Sequence, residues 1–455
     1  MVAQGFSQRP GIDYDASFAP VVSIDSLRTL FAIAAARKME IHQMDVTSAF
    51  LNGDLKETVY MKFPPSVEHK DGTCLLLKKS LYGLKQASRT WYQTLKDFLK
   101  KLGFSQFQHE KCLFTNGRTY IAVYVDDLVL ASTEMSELTS VKKKLSDHFQ
   151  MVDLGRINYI LGLNIEITPD SITMHQQQYV DKLLETFGMD DCTTCDTPSD
   201  AKVVLLKEDK ISKPFKNVSL YQCLVGSLLY LSTRTRPDIA YAVSTVSKFS
   251  HSPSNAHWTA AIRILRYLRK TRSLGISYTR GVSAVLQGYS DANHGGKADG
   301  QRKSTSGNIF FLAGGPIAWS SKLQDIVAFS TLEAEYVSLS DAGREAVFLG
   351  NLVEEFGAKQ FPVVLFCDNK NAVALSKDES HGKASKHIDI RYHWIQERVQ
   401  LHHLKVVWIG TMEMLADIFT HWVPLFSRSY DLQSLKTLLK IKDSDYFVFF
   451  ILSIF

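Results

Sequence analysis

Hydrophobic and polar positions change their period along this chain, and the changes mark its elements. Candidate strands fall on residues 41–46, where apolar and polar positions alternate, on the short apolar runs 120–125 and 128–131, and on 159–167. Helical spacing of apolar residues falls on 26–36, 88–102 and 137–149. Up to about residue 167 the pattern therefore predicts short strands mixed with helices. The middle third is mainly helical, and its last helix, about 256–270, carries Ala261, Ile264, Leu265 and Leu268 on one stripe. From about Val285 the order changes again. A strand ends at Ser290-Asp291, and a hairpin of 308–312 and 317–320 turns through Ala313-Gly314-Gly315-Pro316. A long helix from Thr331, a buried strand 363–367, two helices, a strand 405–409 and a short helix follow. Three antiparallel strands and then alternating helices and strands predict a compact α/β domain.

Length and composition add limits. At 455 residues the chain is long for one core and suggests about three domains of about 150 residues each. A hydrophobic fraction of 45% and a charged fraction of 22% suit a soluble globular protein. The net charge of +5 permits a nucleic-acid partner without requiring one, because a local basic groove matters more than the total. Such a groove has a candidate in the helix 256–270. Arg263, Arg266, Arg269 and Lys270 lie opposite its apolar stripe, and no acidic residue occurs between Ala240 and Tyr289. Two readings stay open: a solvated helix face, or a phosphate-tracking, nucleic-acid-binding surface. Six cysteines spread thinly suit a reduced intracellular protein rather than a disulfide scaffold. Cys192 and Cys195 form a CxxC with no second pair at zinc-site spacing, so they read as loop thiols. Residues 1–10 are polar and lack the apolar segment of a signal peptide. The apolar stretch 446–455 is too short for a helix to span a bilayer of about 30 Å, and it reads as a packed terminal strand or a non-native extension.

Carboxylates supply the candidate chemistry. Tyr124-Val125-Asp126-Asp127 sits between two apolar runs, which puts adjacent aspartates at the tip of a tight hairpin. Two bare carboxylates there repel each other, and divalent cations would relieve the repulsion. In Ile41-His42-Gln43-Met44-Asp45-Val46, alternation turns Met44 and Val46 one way and Asp45 the other. Oxygen ligands without nearby His or Cys favour Mg²⁺ or Mn²⁺ over zinc. The C-terminal third repeats the theme, with Asp291 and Asp368 each ending a strand and Asp417 in Leu415-Ala416-Asp417-Ile418. Strand ends facing one crevice are where α/β sheets hold ligands. Asp368 could instead cap the next helix, and Asp417 could be a solvated helix residue. Ser330-Thr331-Leu332-Glu333 reads as a capping box, which ties Glu333 to the helix start and leaves Glu335 as the fourth acid.

Three motifs occur in fixed order: Asp45-Val46-Thr47-Ser48-Ala49-Phe50, Leu81-Tyr82-Gly83-Leu84-Lys85-Gln86-Ala87-Ser88, and Tyr124-Val125-Asp126-Asp127. With Phe18-Ala19-Pro20-Val21 and Val59-Tyr60-Met61 they resemble the polymerase segment of copia-type long-terminal-repeat retrotransposon Pol polyproteins. Ser304-Thr305-Ser306-Gly307, Glu333-Ala334-Glu335-Tyr336, Cys367-Asp368-Asn369 and Lys386-His387-Ile388-Asp389 resemble that family's ribonuclease H domain. The resemblance runs from Val2 to about Thr420. It implies a multidomain α+β and α/β architecture: a partial-fingers and palm region at 1–168, a helical thumb or connection at 169–282, and an RNase H-like domain at 283–422, with an atypical tail at 423–455.

The function implied is RNA-directed DNA polymerase with ribonuclease H activity, by two-metal phosphoryl transfer. The implied metal ligands are Asp45, Asp126 and Asp127 in one centre, and Asp291, Glu335, Asp368 and Asp417 in the other, holding Mg²⁺ or Mn²⁺. Phe50 would be a steric gate against a 2′-hydroxyl, with Tyr82 and Gly83 lining the nucleotide pocket. The implied partners are an RNA template, a DNA primer, deoxynucleoside triphosphates, an RNA–DNA hybrid, and the element's other Pol and capsid proteins, with no membrane. The implied location is intracellular, in a cytoplasmic virus-like particle or the nucleus. Met1-Val2-Ala3-Gln4-Gly5-Phe6 matches the interior of a family segment whose upstream part carries triphosphate-gripping Lys and Arg residues. A second expectation follows, a truncated remnant that only binds nucleic acid or keeps ribonuclease H activity alone.

Overall fold

The computed structural model of the chain describes residues 2–64, 67–70, 72–200, 202–207, 212–295, 302–377 and 386–422. The tail 423–455, including the apolar stretch 446–455, and the side chains of Lys386-His387-Ile388-Asp389 lie outside the described residues. Contacts divide the chain into two units, Met1–Leu27 with Arg37–Ile157, and Arg28–Ala36 with the chain from Asn158 onward.

After helix α1 (Ile24–Ala36), the first unit runs through β1 (Glu40–Val46), β2 (Asp54–Met61), β3 (Leu75–Lys79), α2 (Ala87–Lys101), β4 (Ser105–Gln106), β5 (Leu113–Thr115), β6 (Thr119–Tyr124), β7 (Asp127–Ser132), α3 (Met135–His148) and β8 (Met151–Arg156). Six strands form one sheet in the order β4-β5-β6-β7-β1-β8, and β2 and β3 form a separate ribbon. Sequence spacing explains the helices. α2 buries Trp91, Leu95 and Leu99 at intervals of four, and α3 buries Leu138, Val141 and Leu145 on one face. Each such leucine contributes about 1.5–3 kcal/mol of burial. The order brings β1 and β7 side by side inside the sheet, where both carry acids.

The second unit begins with β9 (Tyr159–Ile160), β10 (Leu163–Ile167) and β11 (Ser171–His175). A single strand over 159–167 was the expectation; the structure breaks it at Leu161 and Gly162, which have φ of 51° and 78°. The Tyr230 hydroxyl donates to Leu161 O at 2.8 Å, and a Cβ on Gly162 would lie 2.2 Å from the Tyr230 hydroxyl oxygen, so the turn needs glycine. Helices α4 (Gln177–Thr186), α5 (Val218–Arg234), α6 (Ala240–Ser247) and α7 (Asn255–Lys270) follow, then β12 (Gly275–Thr279). The middle third is thus helical but not solely so. β12 returns to pair with β11 in the register Ser171↔Thr279, completing the sheet β12-β11-β10-β9. Alternation within either strand carries no information about so distant a partner.

The last part comprises β13 (Gln287–Asn293), β14 (Thr305–Leu312), β15 (Gly315–Leu323), α8 (Thr331–Glu355), β16 (Val363–Cys367), α9 (Lys370–Leu375), α10 (Lys386–Gln400), β17 (Leu404–Trp408) and a short 3₁₀ helix Leu415–Phe419. Its sheet has the order β15-β14-β13-β16-β17, antiparallel among β13–β15 and parallel from β13 through β16 to β17. This is the expected arrangement of three antiparallel strands followed by alternating helices and strands. The predicted stripe on α7 (Ala261, Ile264, Leu265 and Leu268) is fully buried, in a core shared with Ile309, Phe311 and Phe419. No helix among the described residues is long and apolar enough to cross a membrane.

Beside that core lies a wholly buried ion pair. Arg236 Nη2 donates to Asp238 Oδ2 at 2.7 Å and its Nη1 to Thr271 O at 2.9 Å, while the Tyr267 hydroxyl donates to Asp238 Oδ2 at 2.8 Å. Removing one partner strands the other charge without water, at a cost of about 3–5 kcal/mol. Asp238→Ala should lower unfolding stability by that amount in urea titrations, and an unchanged midpoint would show that the pair is dispensable.

Candidate metal centres

Alternation along β1 buries Met44 and Val46 and leaves Asp45 half-buried on the other face, as the sequence implied. Register then sets Asp45 directly opposite Asp127 on β7. The hairpin tip differs from expectation. Tyr124 pairs with Asp127, so the two turn residues are Val125 and Asp126, and Asp127 already begins the strand. Val125 has φ of 55°, a position where a β-branched residue is strained by about 1–3 kcal/mol. A buried Trp91 restrains it, donating from Nε1 to Val125 O at 2.8 Å. Glycine would relieve the strain, and a looser turn would hold Asp126 less firmly.

Both hairpin acids already have partners. The Tyr82 hydroxyl donates to Asp126 Oδ2 at 2.7 Å, and Gln43 Nε2 donates to Asp127 Oδ1 at 2.9 Å. Asp126 Oδ1 is buried with no partner. Burial raises the pKa of Asp126 and of Asp127, the Asp45 carboxylate adds to both shifts, and the Tyr82 and Gln43 hydrogen bonds oppose them. Burial and the bond to Asp126 push the Tyr82 phenol up to about 12. Tyr82 is aimed by its neighbour. Gly83 has φ of 95°, and a Cβ there would sit 2.0 Å from Ala3 O, so only glycine lets the chain pass. The Phe50 ring lies 4.3 Å from that of Tyr82, centroid to centroid, and is itself buried.

The second centre is more crowded. Asp291 on β13, Glu335 on α8, Asp368 after β16 and Asp417 in the last 3₁₀ helix converge. Among the described residues two groups place one ligand atom per residue all within 4.8 Å of one another: Asp291–Asp368–Asp417 and Glu335–Cys367–Asp368. The set Asp45–Asp126–Asp127 is not among them. Glu333 is anchored away from the crevice, its Oε2 accepting from Phe329 N at 2.7 Å, while Ser330 Oγ accepts from Glu333 N. Glu335 is 4% exposed, and its Oε2 has no partner. Asp368 does not cap α9; Asn369 does, accepting from Asn371 N and Ala372 N. Instead Asp368 Oδ2 accepts from the Thr411 hydroxyl at 2.8 Å.

Thr420 carries a role the sequence reading missed. Its hydroxyl donates to Asp291 Oδ2, and the approach is possible because Gly307, opposite Asp291 on β14, has no side chain. A Cβ at 307 would lie 2.6 Å from the Thr420 methyl. The glycine of Ser304-Thr305-Ser306-Gly307 was therefore a signal for a chain crossing. Gln43 was also legible, two residues before Asp45 and so on the same strand face. Trp91 and Thr411 had no local signal, and Cys367 appeared only inside the motif Cys367-Asp368-Asn369. His294 Nε2 lies 3.1 Å from Ala328 O, outside both acid groups.

The four cations of α7 have partners within the chain. Arg263 meets Thr197 and Asp200, Arg266 donates to Thr193 O, Arg269 to Cys192 O, and Lys270 pairs with Asp196. A phosphate would have to displace this segment.

The donor chemistry of the second centre fits hard divalent cations. Burial first, then the Asp291 and Asp368 carboxylates, push Glu335 up to about 10 and Asp417 up to about 8; burial also raises Asp291. The first centre offers the same oxygen donors and one orphaned oxygen at Asp126, in a looser grouping.

A pH dependence follows. Raised carboxylate values mean that the folded state holds more protons than the unfolded one, so stability falls as pH rises from about 4 towards those values. Cations compete with the same protons. The rise in melting temperature caused by Mg²⁺ should therefore grow from about pH 5 to about pH 8, and Glu335→Gln should flatten that growth. Scanning calorimetry showing a pH-independent Mg²⁺ effect would contradict it.

Residues 1–201 match the family model described as reverse transcriptase (RNA-dependent DNA polymerase). The chain is 39% identical over 437 residues to the retrovirus-related Pol polyprotein from transposon TNT 1-94 of Nicotiana tabacum, covering 93% of this chain and 33% of that protein. It is 38% identical to that from transposon RE1 of Arabidopsis thaliana, covering 92% and 29%. A putative transposon Ty5-1 protein of Saccharomyces cerevisiae is 37% identical over 310 residues, which is 66% of this chain and all of that protein. This chain thus spans about a third of the plant polyproteins it matches. In fold it resembles the foamy viral protease–reverse transcriptase solved with an RNA/DNA hybrid, with a TM-score of 0.50 at 13% identity over 86% of this chain and 46% of that one. Identity of 37–39% over 66–93% of its length shows that this chain belongs to the copia-type retrotransposon Pol family, with the reverse transcriptase segment at residues 1–201.

Proposed function

We propose that this chain is an RNA-directed DNA polymerase that also hydrolyses the RNA strand of RNA–DNA hybrids. The observation that carries the reading is the convergence of Asp291, Glu335, Asp368 and Asp417, with Cys367, into two three-donor groups that share Asp368. Asp45 facing Asp127 in the same chain, with Asp126 held in the strained turn beside them, supports a polymerising centre. Bound divalent cations would supply neutralisation of phosphate charge and an activated oxygen nucleophile at each centre.

The chain's own groups divide the remaining work. Asp45, Asp126 and Asp127 orient the primer end and the incoming nucleotide. Tyr82 fixes Asp126 through its hydroxyl, and the Phe50 ring behind it closes the space a 2′-hydroxyl would need. At the second centre Thr411 and Thr420 hold Asp368 and Asp291 in place. Selection of RNA there rests on recognition of the ribose 2′-hydroxyl. Partners of this reading are an RNA template, a DNA primer and deoxynucleoside triphosphates.

A second reading, ribonuclease H activity alone, is favoured by one contrast. The hydrolytic acids are grouped tightly, whereas Tyr82 and Gln43 occupy Asp126 and Asp127. Primer extension and hybrid cleavage with Mg²⁺ separate the two. The main reading expects both activities, with Asp126→Asn removing extension and Asp368→Asn removing cleavage, each by at least about 100-fold. Cleavage without extension selects the second reading. Wild-type protein with neither activity would overturn both.

A further inference from the structure

One donor in the second centre is not an oxygen. Cys367 ends β16, is fully buried, and carries a free thiol. Its Sγ belongs to a three-donor group with Glu335 and Asp368, all ligand atoms lying within 4.8 Å of one another. Glu335 is nearly wholly buried, and its Oε2 has no hydrogen-bond partner. A buried carboxylate oxygen left unpaired is costly, and a cation is what would satisfy it. Hard ions such as Mg²⁺ take oxygen donors and leave sulfur unused. Thiolate sulfur selects softer ions, and a thiol, two carboxylates and an open position make a four-coordinate set suited to Zn²⁺.

We propose that Glu335, Cys367 and Asp368 form a seat for a thiophilic divalent cation, Zn²⁺ or its probe Cd²⁺, with Cys367 Sγ as a direct ligand, and that filling it stops hydrolysis. Binding forms a metal–sulfur bond and releases the thiol proton to solvent, with no change of oxidation state. Inhibition follows from Asp368. That carboxylate also belongs to the Asp291–Asp368–Asp417 group, so an ion drawn towards sulfur takes a donor from the hydrolytic arrangement. The inference deepens the ribonuclease reading and rests on it only for this consequence; the binding itself is measured without substrate.

The test uses the full chain with Cys192→Ser and Cys195→Ser, which removes the CxxC thiols as competing ligands. Cd²⁺ titration reads the ultraviolet sulfur-to-cadmium charge-transfer band, and competition with a chromophoric chelator reads Zn²⁺ affinity. The expected result is a saturable band that both Cys367→Ser and Cys367→Ala abolish, with Zn²⁺ affinity falling by at least about tenfold. Should both variants fail to fold, alkylation of the parent chain mapped by mass spectrometry gives the answer. Zn²⁺ should slow modification of Cys367 and leave the buried Cys112 unaffected. A band that persists without Cys367, unchanged Zn²⁺ affinity, or alkylation of Cys367 indifferent to Zn²⁺ would overturn the proposal. In hybrid cleavage with Mg²⁺, Zn²⁺ should inhibit the parent chain, and a parent chain that binds Zn²⁺ yet cleaves at full rate would refute the inhibitory step.

Discussion

Carboxylates buried beside one another repel, and in both centres the backbone holds them together regardless. In the second centre Glu335 and Asp417 are pushed up to about 10 and about 8 by burial and by their neighbours' charge. Each proton retained at neutral pH marks free energy that the fold spends on the crowding. The surroundings are arranged to sustain it. Gly307 lets Thr420 reach Asp291, Thr411 reaches Asp368, and Asn369 rather than Asp368 caps the helix that follows. The sheet matters here chiefly because the parallel pairing of β13 with β16, in register through Tyr289↔Phe366, carries Asp291 and Asp368 towards the same end of the sheet.

At the first centre the same constraint takes a different form. The strain sits in the backbone, at Val125, and is held by the Trp91 indole. Neighbouring side chains engage the acids, Tyr82 on Asp126 and Gln43 on Asp127. The two centres thus differ in readiness. Each has one orphaned carboxylate oxygen, but the four acids of the second centre crowd within reach of shared ligand positions, whereas Asp126 and Asp127 of the first are engaged by Tyr82 and Gln43.

Local pattern was enough for much of this. Alternation alone puts Asp45 on the β1 face opposite Met44 and Val46, and the capping motif alone separates Glu333 from Glu335. What local pattern missed was long-range or conformational. The pairing of β11 with β12 spans about a hundred residues, and the kink at Leu161-Gly162 is imposed by a distant Tyr230. The arginines of α7 looked free because their partners lie in the separate segment 191–200. Cys367 was legible only as a member of the motif Cys367-Asp368-Asn369, since nothing in Val363–Cys367 reveals that its sulfur lies beside Glu335 of a separate helix.

The central claim is that the second centre is a shared-ligand cation site organised around Asp368. Counting bound Mn²⁺ by electron paramagnetic resonance tests it most directly, in a chain carrying Asp126→Asn to remove the first centre. The account predicts that Asp368→Asn loses all the specifically bound Mn²⁺ of that crevice, because both donor groups lose a member, whereas Asp417→Asn loses only part. Full Mn²⁺ occupancy retained by Asp368→Asn would contradict it.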